Sequence, residues 1–180
     1  MRETTFSEAY ARMSRPQRVV LAVAVDRSGQ PNIIPLGWHM QTSGQPLMIA
    51  VSIAPSRYSH ALISEGKEFV IAAPSEAMTE QVLYCGTHSG RDTDKFKETC
   101  LTAVAASKVK PPLIEQCVAN LECVLKSSLE TGDHTIFVGE VVAAHVSDDR
   151  KRNLLAIGSE SGYEYLGGDE RHRFGVVRDR

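Results

Sequence analysis

Val19-Val20-Leu21-Ala22-Val23-Ala24-Val25 runs directly into Asp26-Arg27-Ser28-Gly29-Gln30, and this junction decides the fold class. A run rich in β-branched residues favours extended backbone, and the turn formers after it reverse the chain. Asn32 to Met40 resumes the extended pattern, which predicts a hairpin. Thr42-Ser43-Gly44-Gln45-Pro46 supplies the next turn, and Leu47 to Ile53 reads as a third strand able to be buried on both faces.

Upstream, Phe6, Ala9, Tyr10 and Met13 fall at helical spacing, with Thr5 or Ser7 available as caps and Pro16 closing the segment. Downstream of Ile53 the pattern changes. Pro55 suits a helix start, Tyr58, Leu62 and Ile63 share a helical face, and Gly66 stops it. Phe69 to Ala73 is a short strand, and Ser75 caps a helix to about Tyr84 that Cys85-Gly86 ends. Pro111-Pro112 rule out helix around Val104 to Pro112. Ala119 to Ser128 and His134 to Val146 form a second hairpin about Glu130-Thr131-Gly132-Asp133, with Gly139 as a bulge position. Leu154 to Ile157 is short and apolar, Tyr163 to Leu166 before Gly167-Gly168 reads as a last small strand, and the charged tail from Asp169 carries little structural signal.

Six or seven strands joined mostly by hairpin turns argue against a doubly wound parallel sheet, in which strand and helix alternate throughout. They predict a mainly β protein with short helices, a closed or nearly closed antiparallel barrel of Greek-key character. No Gly-x-Gly-x-x-Gly turn follows any strand, so a Rossmann dinucleotide site has no support. At 180 residues and 42% apolar, the chain reads as one domain, 1–180, with its core over 19–147 and an extension over 148–180.

Twenty Lys plus Arg against 22 Asp plus Glu give a net charge of -2, which offers no general attraction to nucleic acid or an anionic membrane. Any anion site must therefore be local. The N-terminus lacks the apolar stretch of a secretory signal, and no run approaches a membrane span, so a cytoplasmic protein is expected. Cys85, Cys100, Cys117 and Cys123 have no metal-ligand spacing and read as buried free thiols.

Four short segments carry the chemistry. Ser52-Ile53-Ala54-Pro55-Ser56-Arg57-Tyr58-Ser59 passes from a strand end to a helix start, where unpaired backbone N–H groups, hydroxyls and Arg57 could hold an anion. Ordinary capping by Ser56 or Ser59 is the equal alternative. Ser89-Gly90-Arg91-Asp92-Thr93-Asp94-Lys95-Phe96 places two cations around a glycine turn, which suits a phosphate. It also suits a solvated loop in which Arg91 pairs with Asp92 or Asp94. Pro35-Leu36-Gly37-Trp38-His39 offers close backbone approach and a large apolar plane to a flat ligand, unless Trp38 is simply core; His39 has no ligand-spaced partner. In Gly132-Asp133-His134 the turn Asp can hold His134 in one tautomer. Hydrolytic triads and carboxylate pairs have no support.

Taken together, these segments resemble the flavin reductase-like family, nearest to its flavoredoxins. The resemblance runs from about Val19 to Val146. It also rests on Phe69-Val70-Ile71-Ala72-Ala73-Pro74, Ala119-Asn120-Leu121-Glu122-Cys123 and Gly132-Asp133-His134-Thr135-Ile136-Phe137-Val138-Gly139-Glu140-Val141. It implies an FMN-binding split barrel that works as a homodimer. Ser52, Ile53, Arg57, Tyr58 and Ser59 would hold the phosphate and ribityl of non-covalent FMN, joined by Ser89, Gly90, Arg91 and Lys95. Leu36, Gly37, Trp38 and His39 would border the isoalloxazine, and His134 would lie near its reactive side as the candidate catalytic residue. Ala72, also carried over to the flavin site, stands where many relatives carry Asn, so a side-chain hydrogen bond to the flavin is missing or replaced by backbone. The implied activity is electron transfer from NADH or NADPH through FMN to free flavin, ferric iron or a redox protein, or a carrier role without direct NAD(P)H turnover.

Overall fold

The structure, a computed structural model, describes residues 1–158 and 163–177. The leading helix α1 (Phe6–Met13) starts as its sequence predicts, with the Thr5 hydroxyl accepting from Glu8 N–H, yet it buries none of its residues. After the two-residue β1 (Gln17–Arg18), β2 (Val20–Val25) and β3 (Pro31–Leu36) make the expected hairpin. Its turn is tied by the Asp26 carboxylate, which accepts from the N–H groups of Ser28 and Gln30 at 2.8 and 2.9 Å.

Asn32 to Met40 is two strands rather than one. Gly37-Trp38 separates β3 from β4 (His39–Gly44), because the Gly37 carbonyl accepts from the Gln17 side chain at 2.6 Å and not from a strand partner. β4 then runs through Gly44 to pair with β5 (Leu47–Ile53), so the second turn contracts to Gln45-Pro46. α2 (Tyr58–Gly66) ends at Lys67, which takes φ 59° just beyond the expected Gly66 stop. There follow β6 (Glu68–Ala73), a 3-10 turn (Glu76–Met78) and α3 (Thr79–Thr87). A one-turn helix not foreseen from sequence, α4 (Lys95–Glu98), sits in the charged loop, and Asp94 caps it by accepting from Lys97 N–H.

β7 (Ala103–Val104) and β8 (Leu113–Ile114) lead into the long hairpin of β9 (Ala119–Thr131) and β10 (His134–Val146). Register shifts at Gly139, as expected for a bulge; a Cβ there would lie 2.5 Å from Phe69 Cζ, so close ring packing requires glycine. The main sheet has the antiparallel order β3-β2-β6-β9-β10-β5-β4, with non-consecutive neighbours of Greek-key kind. β3 and β4 are its two edges. They are consecutive in the chain yet unpaired, so the closed or nearly closed antiparallel barrel expected is an open ladder, split at Gly37-Trp38.

β2 shows why the apolar run at Val20 to Val25 is unbroken. Val20, Ala22 and Ala24 pack with Val51, Ile53, Phe69, Ile71 and Phe137 and with Leu62 and Ile63 of α2. Leu21 and Val23, on the other face, pack with Val70 and Ala72 under Val82, Cys85, Phe96, Ile114, Leu154 and Phe174. Each such fully buried large side chain contributes about 1.5–3 kcal/mol. The last two residues belong to the C-terminal region. Its β11 (Leu155–Ala156), β12 (Tyr163–Gly168) and β13 (Arg173–Val177) join β1 in a second sheet, ordered β1-β11-β13-β12. The charged tail thus supplies a strand that its composition hides, because only Phe174, Gly175 and Val176 turn inward. All four cysteines are free, and Cys100 is exposed rather than buried.

Candidate functional site

The split between β3 and β4 opens onto a cavity of about 580 Å³. Seven residues expected from the sequence line it: Leu36, Gly37, Trp38, Ser52, Ile53, Arg57 and His134. They arrive from three places. Leu36 ends β3, Ser52 and Ile53 end β5, and His134 opens β10, where Thr135 pairs with Ile53. Ser52 N–H donates to the Trp38 carbonyl at 3.0 Å, which sets the β3–β4 corner against the end of β5.

The strand-to-helix corner resolves in favour of an open helix start. Arg57 itself occupies the N-cap of α2, and no side chain caps the first turn. Ser59 is 1% exposed and its hydroxyl accepts from Asn32 Nδ2 at 2.7 Å, while Ser56 lines the cavity. The free N–H groups, the dipole end and the exposed Arg57 guanidinium therefore share one corner of the cavity.

Opposite walls are aromatic. The Trp38 and His134 rings lie 4.7 Å apart at 48°, and His134 Nδ1 is 2.6 Å from the Asp133 carboxylate, the pairing that the turn sequence predicts. That bond holds the Asp133 carboxyl below its ordinary value. Trp38 is half-exposed, so it is a wall and not core. His39 faces away from the cavity. It lines a second, smaller hollow with Tyr10, Met40 and Ile136, its ring 3.3 Å from the Arg18 carbonyl, and burial holds its pKa down.

The charged loop lies outside the cavity lining but docks on its corner. The Arg91 guanidinium stacks 4.9 Å above the Tyr58 ring rather than pairing with Asp92 or Asp94. Ser89 Oγ accepts from Arg91 N–H, which tightens the turn. Gly90 sits against Asn32, and a Cβ there would overlap Asn32 Oδ1. Lys95, expected to reach a phosphate, is 3% exposed and donates to the carbonyls of Ile33 and Cys85, at 2.7 Å each. Burial holds its pKa down and lifts the Cys85 thiol to about 11. Ala72 is fully buried in the sheet between Leu21 and Asn120 and does not reach the cavity.

Sequence reasoning missed Arg15, Gln17, Asn32 and His172. Asn32 could have been found as the one polar residue inside an apolar strand; it is 3% exposed, and its Oδ1 has no partner among the described residues. Gln17 fixes the Gly37 carbonyl, and Arg15 Nη1 donates to Gln17 Oε1 at 3.0 Å. His172 reaches the cavity from the start of β13. The described residues that line the cavity include no Asp or Glu. Its polar lining is thus cationic or neutral around an apolar floor, suited to an anionic ligand with a flat ring. No cluster of His, Cys, Asp or Glu fit for a metal occurs among the described residues, and no helix there is long and apolar enough to cross a membrane.

Comparison with known proteins gives concordant results. Residues 13–165 match the sequence family described as the flavin reductase like domain. An uncharacterized protein of Archaeoglobus fulgidus is 43% identical over 113 residues, which cover 63% of this chain and 64% of that protein, slightly less than two thirds of its length. Among solved structures, flavoredoxin of Desulfovibrio vulgaris (Miyazaki F) superposes with a TM-score of 0.80 at 25% identity, covering 100% of this chain and 95% of the other. An FMN-binding protein from Thermus thermophilus with bound p-hydroxybenzaldehyde has a TM-score of 0.76 at 25% identity, covering 88% and 91%.

Proposed function

Because the chain belongs to the flavin reductase-like family, we propose that it binds FMN non-covalently in the split cavity and works as an oxidoreductase that passes electrons from NADH or NADPH through the flavin. One observation carries this reading. The uncapped start of α2 with Arg57 shares a carboxylate-free cavity with the Gly37-Trp38 edge and His134, which matches the phosphate and the flat ring of one ligand.

In this reading Ser52, Ser56, Arg57 and the first N–H groups of α2 hold the phosphate end. Trp38 and Leu36 border the ring, and Gln17 keeps the Gly37 peptide in the orientation that lets a ring approach. His134, oriented by Asp133, sits beside Trp38 where it could position a reactant or offer a proton. The bound flavin supplies the redox chemistry, and the protein supplies orientation and electrostatics. Arg91, through Tyr58, braces the phosphate corner, and Lys95 braces the loop from beneath.

A homodimer is part of the proposal. Edge strand β4 exposes Met40 at 63%, and Leu47, across the following turn, is 42% exposed. Sedimentation at micromolar concentration should give twice the chain mass. Acceptors of the electrons are free flavin, ferric iron or a redox protein.

The purified protein should be yellow or take up FMN, and its flavin should bleach anaerobically with NADH or NADPH. Protein that stays colourless after FMN addition refutes the proposal. The likeness to a flavoredoxin favours a second reading, an FMN electron carrier without direct NAD(P)H turnover. Stopped-flow reduction separates the two, since a carrier would react sluggishly with NAD(P)H and quickly with a reduced ferredoxin-type donor.

A further inference from the structure

Two separate sheets deliver basic side chains to the same cavity. Arg57 comes from the corner after β5, whereas Arg15 and His172 precede β1 and β13 of the second sheet. In that sheet Gln17 pairs with Ala156, and Ala156 with Phe174, so these three cavity-lining residues form one row. β1 and β13 are both antiparallel to β11 and therefore run the same way. Arg15 and His172 each lie two residues before the row. They consequently share one rim of the cavity, two strand spacings or about 10 Å apart.

Their partners leave both available. Arg15 donates to the neutral Gln17 amide and makes no ion pair among the described residues. His172 has Nδ1 on the Asp169 carboxylate at 3.0 Å, which orients the ring and leaves Nε2 over; in the imidazolium form Nε2 donates. The described residues that line the cavity include no carboxylate; Asp169, outside the lining, pairs with His172, and Arg15 faces no acidic partner among the described residues.

FMN carries a single phosphate, and the reading above assigns it to the Ser52–Arg57 corner. We propose that Arg15 and His172 form a second anion subsite, which takes the diphosphate of a dinucleotide electron donor. The inference rests on that reading for the identity of the first ligand. Two donors on one rim, two strand spacings apart, match a diphosphate, whose charge is spread over two phosphorus centres. An uncharged reductant would need neither.

The probe is ADP-ribose, which has the diphosphate and lacks the nicotinamide. Calorimetric titration of the full chain, with and without FMN, should show binding that weakens at least about tenfold in the Arg15→Gln, His172→Asn double variant. Circular dichroism should confirm that the variant is folded. The ratio of kcat/KM for NADPH or NADH to that for N-benzyl-1,4-dihydronicotinamide, which has no phosphate, should fall by a similar factor. FMN affinity should stay within about twofold. No ADP-ribose binding by the native chain, equal binding by the variant, or an equal loss of FMN affinity overturns the subsite. A chain that takes no FMN refutes the flavin proposal instead, and the ADP-ribose titration still decides the subsite.

Discussion

The Lys95 ammonium donates to the Ile33 carbonyl at 2.7 Å, from a side chain that is 3% exposed. The same ammonium holds the Cys85 carbonyl, so one buried cation ties the charged loop to β3 and to α3. Lys95→Ala should lower the unfolding free energy by about 2–4 kcal/mol, because two buried carbonyls lose their donor and a cavity opens. Lys95→Met should recover packing but not the donor, and should remain well below the native chain in a urea melt. Native-like stability of the Ala variant would show that the carbonyls find other partners.

Arg57 is expected to behave in the opposite way. Its side chain is exposed, makes no capping hydrogen bond and lines the cavity, so Arg57→Ala should leave the urea midpoint almost unchanged. FMN affinity should fall by about 1.5–3 kcal/mol, the usual worth of a charge-assisted contact. Arg91→Ala should cost less, since its guanidinium is spent on Tyr58. Fluorescence titration of FMN checks the order, and an Arg91 loss larger than that at Arg57 would move the phosphate to the loop.

Gly90 and Asn32 form a coupled pair. A Cβ at Gly90 would overlap Asn32 Oδ1, and Asn32 is the residue that donates to Ser59 behind the helix start. Gly90→Ala should therefore destabilise by about 1–3 kcal/mol. In an Asn32→Ala background the penalty should shrink, because the nearest remaining Asn32 atom, Cβ, lies 3.2 Å from the new methyl. Additive losses in the double-mutant cycle would place the strain elsewhere.

Main-sheet strands such as β2 were legible because burial on both faces writes an apolar run, as in Val20 to Val25, and because turns such as Asp26 to Gln30 use side chains that bond their own backbone. The break at Gly37 was not legible. It depends on Gln17, twenty residues away, and no local preference encodes that bond. The seven cavity residues were found because strand ends and helix starts are local features. Lys95 misled for the converse reason: a lysine in a charged loop looks exposed, and only the tertiary packing of α4 against β3 buries it. Arg15 and His172 were invisible, since a charged tail gives no hint that strand pairing brings it back to the cavity.

Glu122 sets the acid limit. It is fully buried on β9 and, as a carboxylate, accepts from the N–H groups of Ser107, Lys108 and Val109 and from the Ser107 hydroxyl, with His145 Nε2 at 2.6 Å. Burial alone would push its carboxyl up, but the hydrogen bonds from Ser107, His145 and Lys108 outweigh it and hold the group near about 2. A folded value below the unfolded one, about 4.5, means that the unfolded chain binds the proton more readily. The stabilisation is therefore complete above about 4.5 and is lost as pH falls toward 2, amounting to about 3 kcal/mol at most. Glu122→Gln keeps the shape but offers one acceptor oxygen where the loop presents four donors. It should lower neutral-pH stability by about that amount and remove this group's part of the slope between pH 4.5 and 2. Urea melts across that range, native against variant, make the comparison; parallel curves would mean that the 107–109 loop detaches before Glu122 takes up its proton.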